Sequence, residues 1–312
     1  MTGSMHCTFT VFTPTFNRAH LLGRVHESLR QQTFRDFEWL IVDDGSTDDT
    51  RERVEAWQRE NDMPIRYFWQ KNAHKKVAFN HGVREAHGEL FLTLDSDDEL
   101  LPDTLETLHR VWAGIPERER PRYSAVTGLC VYPDGRVVGE RFPADVLDSD
   151  SLEMYHRHHV RGEKFGFQRT DVLRRFPFPE DVQGLVPEGI VWSAIARAGY
   201  RTRYVNEVVR VYHQTEDSLI RGRGRQILSV IHAQGRALFA RDALMNDLGR
   251  WFRVDPFGFV KEAGWYVCCR LHLLRQGRNG PPPLEGIGPR LLVMSCFPLG
   301  VALYLRDLWR SR

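Results

Sequence analysis

The stretch Trp39-Leu40-Ile41-Val42-Asp43-Asp44-Gly45-Ser46-Thr47-Asp48 decides how this chain folds: an apolar run of strand length stops on acidic and turn-forming residues. A second passage repeats the pattern, with Leu90-Phe91-Leu92-Thr93-Leu94 running into Asp95-Ser96-Asp97-Asp98. Short apolar runs bounded by turn residues read as strands buried on both faces, as in parallel sheets. Open α/β sheets bind ligands outside the carboxyl ends of their strands, where both acidic clusters stand. Carboxylates are costly to gather there unless a positive or hydrogen-bonding group meets them. A divalent cation with a nucleotide diphosphate suits the second cluster. A nucleobase and ribose suit the first.

Outward from these passages, apolar runs at residues 9–13, 37–42, 65–69 and 90–94 read as strands. Amphipathic helices at about 20–31, 47–61 and 77–87 separate them. Ser46, Thr47 or Asp48 can cap the second helix, and Gly88 can end the third. Beyond Asp98 a helix runs from Pro102 to Trp112, and residues 125–132 and 137–141 form a hairpin around Pro133-Asp134-Gly135. A helix near 149–156, a strand near 164–168 and a short helix capped by Thr170 follow. A loop at 177–187, a helix over 189–198 ending at Gly199, and strands at 201–206 and 208–212 complete the pattern. Alternating βα units predict an α/β fold with a mostly parallel sheet and helices on both faces.

Four motifs occur in order on these strand ends: Val11-Phe12-Thr13-Pro14-Thr15-Phe16-Asn17-Arg18, Gln32-Thr33-Phe34, Asp43 to Ser46, and Asp95-Ser96-Asp97. In them the chain resembles the large family 2 of inverting nucleotide-sugar glycosyltransferases, over roughly its first 215 residues. The resemblance implies a Rossmann-like GT-A fold, with a catalytic domain at 1–218 and a helical extension at 219–312. Within the former, 1–100 is the nucleotide-binding half and 101–218 the acceptor half.

The resemblance also implies roles. Pro14, Thr15, Asn17, Arg18 and Ser96 line the nucleotide-sugar site, and Asp44 hydrogen-bonds the uracil N3–H of a UDP donor. Asp97 ligates Mg²⁺ or Mn²⁺, while Asp95 contacts the ribose or reaches the ion through water. Lys75-Lys76-Val77-Ala78-Phe79-Asn80 matches a donor-binding stretch in which Lys76 and Asn80 touch the donor, with Lys75 where glycine is usual. Lys164, in the glycine-containing loop Gly162–Gly166, turns toward phosphate. Glu188 is the expected catalytic base, although Pro187-Glu188 replaces the usual Glu-Asp pair; Trp192 keeps the aromatic four residues on. His213 completes the metal or diphosphate site. Simpler readings stand beside these: Asp44 as a helix cap, Lys76 as a solvated charge, Glu188 as a partner of a helix dipole. His156, His158 and His159 read as surface or acceptor-facing.

Charge divides the chain. From Leu219 onward 15 Lys and Arg face 6 Asp and Glu, whereas the first 218 residues carry 28 against 35. An acidic catalytic domain and a basic tail with a different partner follow. Residues 291–305 are almost wholly apolar but are interrupted by Pro298 and Gly300, and a transmembrane helix wants about 20 apolar residues. Arg290, Arg306, Arg310 and Arg312, with Tyr304 and Trp309, suit residues 225–312 to lie on an anionic membrane. Packing on the catalytic domain, or homo-oligomerisation, is the alternative. Nothing resembles a base-reading module, so nucleic acid is not expected. Five cysteines without metal-ligand spacing, and no charged-then-apolar leader, suit a reducing cytoplasm and the inner membrane face.

The expected activity is metal-dependent, inverting transfer of a sugar, UDP-linked by the Asp44 argument, to a hydroxyl of a glycan or lipid-linked acceptor in envelope polysaccharide synthesis. A nucleotidyltransferase is one rival, but it calls for a Gly-rich, basic loop where Pro14-Thr15-Phe16-Asn17 stands. A catalytically inactive GT-A scaffold is the other.

Overall fold

The computed structural model describes residues 7–213 and 232–310, in two units. One holds residues 7–177 and 193–213, and the other holds 178–192 and 232–310. The helical unit thus takes in a segment, 178–192, expected in the acceptor half.

The first unit is built on a nine-stranded sheet of order β3-β2-β1-β4-β8-β6-β9-β5, with β7 paired to β9. Its strands are β1 (Cys7–Thr15), β2 (Phe37–Asp43), β3 (Ile65–Trp69), β4 (Gly88–Thr93), β5 (Glu99–Leu100), β6 (Tyr123–Val131), β7 (Val146–Ser149), β8 (Lys164–Arg169) and β9 (Arg201–Val211). From β3 to β4 every pairing is parallel; beyond β4 the sheet is mixed. Helices α1 (Ala19–Arg30), α2 (Thr50–Glu60), α3 (Lys75–Glu85) and α4 (Thr104–Ala113) supply the cover.

Alternation along β1 explains the layers, because successive side chains point to opposite faces. Phe9 and Val11 join one core with Leu22, Val25 and Leu29 of α1 and Leu105, Leu108 and Trp112 of α4. Phe12 faces the other way, 5.9 Å from Phe79 of α3 and 5.1 Å from Phe91 between ring centroids. Burial on both faces is why β1 and β2 read as continuous apolar runs.

Several local expectations are corrected. Residues 201–211 form one strand rather than the two expected within 201–212; register shifts against β6 let it bend without breaking. The turn at Pro133-Asp134-Gly135 is present, but its return arm makes only an isolated bridge, Val131 to Val137. β6 instead pairs with β8 and β9, which offer longer ladders. Helix α2 begins after Asp49 with no side-chain cap on its end; Asp48 accepts instead from Thr50 N at 3.2 Å and Thr50 Oγ1 at 2.6 Å. Thr170 does not cap the short helix α6 (Thr170–Leu173), since its hydroxyl donates to Gly88 O at 2.6 Å. His156 is buried within α5 (Ser151–His156) rather than on the surface.

Gly88 was expected to end α3, yet that helix stops at Glu85 and Gly88 opens β4. Its N–H donates to Thr10 Oγ1 at 2.8 Å, and a Cβ there would stand 2.2 Å from Thr10 N. Only glycine lets β4 come so close to β1.

In the second unit the long helix Pro256–Arg275 starts with proline in its first turn, and Asp255 accepts from Gly258 N at 2.9 Å. It packs with the helices Ala233–Asn246 and Phe297–Arg310; a Cβ on Gly300 would meet Val267 at 2.3 Å. Pro298 and Gly300, expected to interrupt the apolar run, both lie inside the helix Phe297–Arg310: proline is tolerated in a first turn, and Gly300 serves the contact. The break falls earlier, between Ile287–Ser295 and Phe297–Arg310, with a 54° bend. No single helix among the described residues is long and apolar enough to cross a membrane. Residues 225–231 of the expected membrane-facing tail, and Arg312, lie outside the described residues.

Gly88→Ala should destabilise the first unit by about 1–3 kcal/mol, the usual cost of overpacking. Denaturant titration of the purified variant measures it; unchanged stability would mean that β4 and β1 separate freely.

Candidate active site

Parallel register brings the acidic clusters together. Thr15 aligns with Asp43 across β1 and β2, and Phe12 aligns with Thr93 across β1 and β4, so three strands end on one edge. Asp43 closes β2: its carboxylate accepts from Ser46 N at 2.7 Å and from the Tyr67 hydroxyl at 2.6 Å. Burial and the Asp43 carboxylate keep the Tyr67 phenol protonated. Asp44 N donates to Thr15 O at 2.8 Å, which ties the two strand ends. Its side chain accepts from Gln70 Nε2 at 2.7 Å and from Ala73 N at 2.9 Å, both on Oδ1. Asp44 is therefore held from the loop that follows β3, not spent as a helix cap.

Asn17, in a left-handed conformation with φ 52°, clasps the first acidic loop: its N–H donates to Ser46 Oγ, and its Oδ1 accepts from Thr47 N, both at 2.8 Å. Asparagine tolerates that conformation better than most residues. Pro14 lies within β1, and the Thr15 hydroxyl is buried without a hydrogen-bond partner. A cavity of about 230 Å³ beside this loop is lined by Asp43, Ser46, Thr47, Arg51, Tyr67 and Trp69.

Cations surround the second cluster. Lys75 Nζ lies 2.8 Å from Asp95 Oδ1, and Arg18 Nη1 lies 3.3 Å from Asp97 Oδ2 and donates to Ser96 Oγ at 3.2 Å. Arg24 donates to the Asp97 carbonyl at 2.8 Å. Burial works against ionisation of Asp95, but Lys75, with Arg210 and Arg18 behind it, holds its carboxyl below the usual range. Lys75 was the departure from the family pattern. The positive φ falls one residue earlier, on His74 (φ 73°, ψ 156°), in a region nearly reserved for glycine. Lys76 and Asn80, both buried, share a face of α3 one turn apart.

Beneath the cluster, Asp98 and Arg210 form a buried pair at 2.9 Å, with Glu163 3.5 Å from the same guanidinium and the Phe165 ring 4.7 Å away. Burial pushes Asp98 up to about 7 against the pull of Arg210, and Asp95 and Asp97 add to the rise. Pairing of β5 with β9 brings His213 in: its N–H donates to Asp98 Oδ1 at 3.2 Å, and its Nε2 stands 3.3 Å from Glu99 Oε2.

Asp97 and His213 suit a hard divalent cation in chemical type. His213 Nε2 is buried without a hydrogen-bond partner, and one carboxylate oxygen, Glu99 Oε2, stands 3.3 Å from it. Mg²⁺ and Mn²⁺ are commonly held by one or two such side chains together with substrate phosphates.

Lys164 and Glu188 are the remaining expected site residues. Lys164 donates to the carbonyls of Arg161 at 2.9 Å, Val138 at 3.1 Å and Glu163 at 3.3 Å, so its ammonium binds the chain itself. Burial lowers its pKa. Glu188 belongs to the other unit, ahead of the helix Gly189–Arg197, where its carbonyl accepts from Val191 N at 2.9 Å. Gln70, Arg24, Lys75 and Arg210 were missed as site residues. Only Lys75, as a charge in place of glycine, left a signal in the sequence.

Residues 10–118 match Glycosyl transferase family 2. The GalNAc(5)-diNAcBac-PP-undecaprenol beta-1,3-glucosyltransferase of Campylobacter jejuni is 29% identical over 208 residues, 65% of this chain and 63% of that protein. The chain belongs to glycosyltransferase family 2. It spans less than two thirds of that relative's length. Among solved structures, S. aureus TarS in complex with UDP superposes with a TM-score of 0.57 at 17% identity, covering 95% of this chain and 91% of that one. The mannosyltransferase PcManGT from Pyrobaculum calidifontis, in complex with GDP-Man and Mn²⁺, gives 0.58 at 18% identity, covering 98% and 88%. At such identities the likeness establishes the fold, which is the GT-A type of the family.

Arg210→Met should cost about 3–5 kcal/mol near pH 8 by leaving a buried carboxylate uncompensated. The folded pKa of Asp98 lies above its unfolded value, so ionisation removes stability as pH rises toward about 7. Without Arg210 that pKa rises further, which makes the penalty smaller near pH 5, where Asp98 is protonated. Denaturant titrations at the two pH values check the sign.

Proposed function

We propose that this protein is a metal-dependent, inverting glycosyltransferase that moves a sugar from a UDP-linked donor to a hydroxyl of a glycan or lipid-linked acceptor. The observation that carries the reading is the single sheet edge at which Asn17 and Arg18, Asp43 and Asp44, and Asp95 to Asp97 converge. Asp44, pinned through Oδ1, keeps acceptor capacity on Oδ2 for the uracil N3–H. Thr15, Pro14 and Asn17 border the same nucleotide, and Asp95 serves the ribose.

Asp97 and His213 would hold Mg²⁺ or Mn²⁺, which neutralises charge on the departing diphosphate. Arg18, Lys75 and Lys76 add positive charge on the phosphate side, and Asn80 and Ser96 offer hydrogen bonds. Lys164 contributes indirectly, by bracing its loop. Glu188 takes the proton of the acceptor hydroxyl. Screening nucleotide sugars for metal-dependent release of free nucleoside diphosphate tests the activity. Asp97→Asn should abolish turnover with the fold retained, and Glu188→Gln should lower the rate by about 10²–10⁴-fold with donor affinity kept. A retained anomeric configuration in the product would refute the inverting base.

The helical unit is proposed to rest on an anionic membrane at the cytoplasmic face, where a lipid-linked acceptor resides. Support comes from the last two helices, on which Ile287 and Trp309 are each 78% exposed and Met294 70%, with Arg290, Arg306 and Arg310 alongside. Single exposed apolar residues mean little, but a row of them beside arginines matches an interfacial helix. In flotation assays the protein should rise with anionic vesicles, stay down with neutral ones, and detach as salt screens the charge. Equal, negligible flotation with both would assign the apolar row to a second copy of the chain.

A further inference from the structure

The helical unit contains a polar cluster that sugar transfer does not use. Cys268, His272 and Asp307 are 0%, 1% and 5% exposed, although thiol, imidazole and carboxylate are groups whose burial needs compensation. Cys268 and His272 lie four residues apart on the helix Pro256–Arg275 and so share a face. Asp307 reaches them from the helix Phe297–Arg310.

The Asp307 Oδ2 atom stands 3.7 Å from Cys268 Sγ and 3.6 Å from His272 Nε2. The second distance is too long for a hydrogen bond, and His272 Nε2 has no hydrogen-bond partner. All three ligand atoms lie within 4.8 Å of one another, and no other such trio occurs among the described residues.

We propose that Cys268, His272 and Asp307 bind a zinc-class divalent ion that staples these two helices. A tetrahedral ion with bonds of about 2.0–2.3 Å separates its ligand atoms by roughly 3.3–3.8 Å, close to the spacings around Asp307. Binding releases the thiol proton to solvent, and the thiolate and carboxylate then cancel the two positive charges. The buried imidazole nitrogen gains the partner it lacks. On the opposite side of the carboxylate, Arg306 donates to Asp307 Oδ1 at 2.9 and 3.2 Å, the kind of outer contact that orients a ligand. A sulfur, nitrogen and oxygen set favours zinc or cobalt, whereas the acidic edge of the sheet suits Mg²⁺ or Mn²⁺.

The test uses the full chain. Metal analysis should find one zinc per molecule, and removal by a chelator should lower the thermal midpoint. Titration of the metal-free protein with Co²⁺ should produce a thiolate-to-cobalt absorption band saturating at one equivalent, a signal that carboxylates alone cannot generate. Cys268→Ser and His272→Ala should each lose the band, whereas Cys269→Ser and Asp97→Asn should keep it. If Cys268→Ser does not fold, His272→Gln serves in its place. Absence of the band in the folded protein, or zinc content unchanged in the Cys268 and His272 variants, would overturn the proposal and leave a buried polar contact.

Discussion

Charge compensation at one sheet edge is the constraint on which the rest of the first unit depends. Parallel strands must end in register to bring Asp43, Asp44, Asp95 and Asp97 together, and like charges so placed repel one another. Each is answered locally: Tyr67 and Ser46 N for Asp43, Gln70 and Ala73 N for Asp44, Lys75 for Asp95, and Arg18 for Asp97. Arg210 answers Asp98 from below, on β9, the last strand of the sheet in chain order. Asp98, early in the chain, is thus tied to a cation that lies far along it.

Strain collects at the same place. Asn17 and His74 both carry positive φ, and each sits in a loop that positions a site residue: Asn17 beside Ser46 and Thr47, His74 at the N-terminus of α3 next to Lys75. A histidine in a region usually left to glycine persists only where its surroundings over-determine it. Here the Lys75–Asp95 ion pair follows immediately, so unfavourable backbone and favourable charge meet at adjacent residues.

The helical unit follows a different logic. Its core depends on small residues that let helices approach, Ala233 and Ala237 on one side of the helix Pro256–Arg275 and Gly300 on the other. Large apolar side chains, by contrast, are turned outward on the last two helices. The unit thus buries thiol, imidazole and carboxylate while leaving leucine, methionine and tryptophan exposed, the reverse of the usual partition.

The sequence by itself determined strands β1 to β4, where they end, and the identity of the acidic clusters, because a doubly buried strand must be apolar throughout and must stop where polar residues begin. It also carried the basic character of the tail, but not the position of its bend, which falls before Pro298. Tertiary structure alone decided which cation meets which carboxylate: Lys75, Arg18, Arg24 and Arg210 are separated from their partners by 20 to 112 residues, and periodicity holds no information about such pairings. It merged two expected strands into β9, because register shifts against β6 depend on the neighbour and not on the strand. It also turned Lys164 onto its own loop, since three carbonyls within reach of one ammonium arise only from how that loop closes. The Cys268–His272 spacing was present in the sequence, but its third member lies 35 residues beyond His272 on another helix, and only packing brings it there.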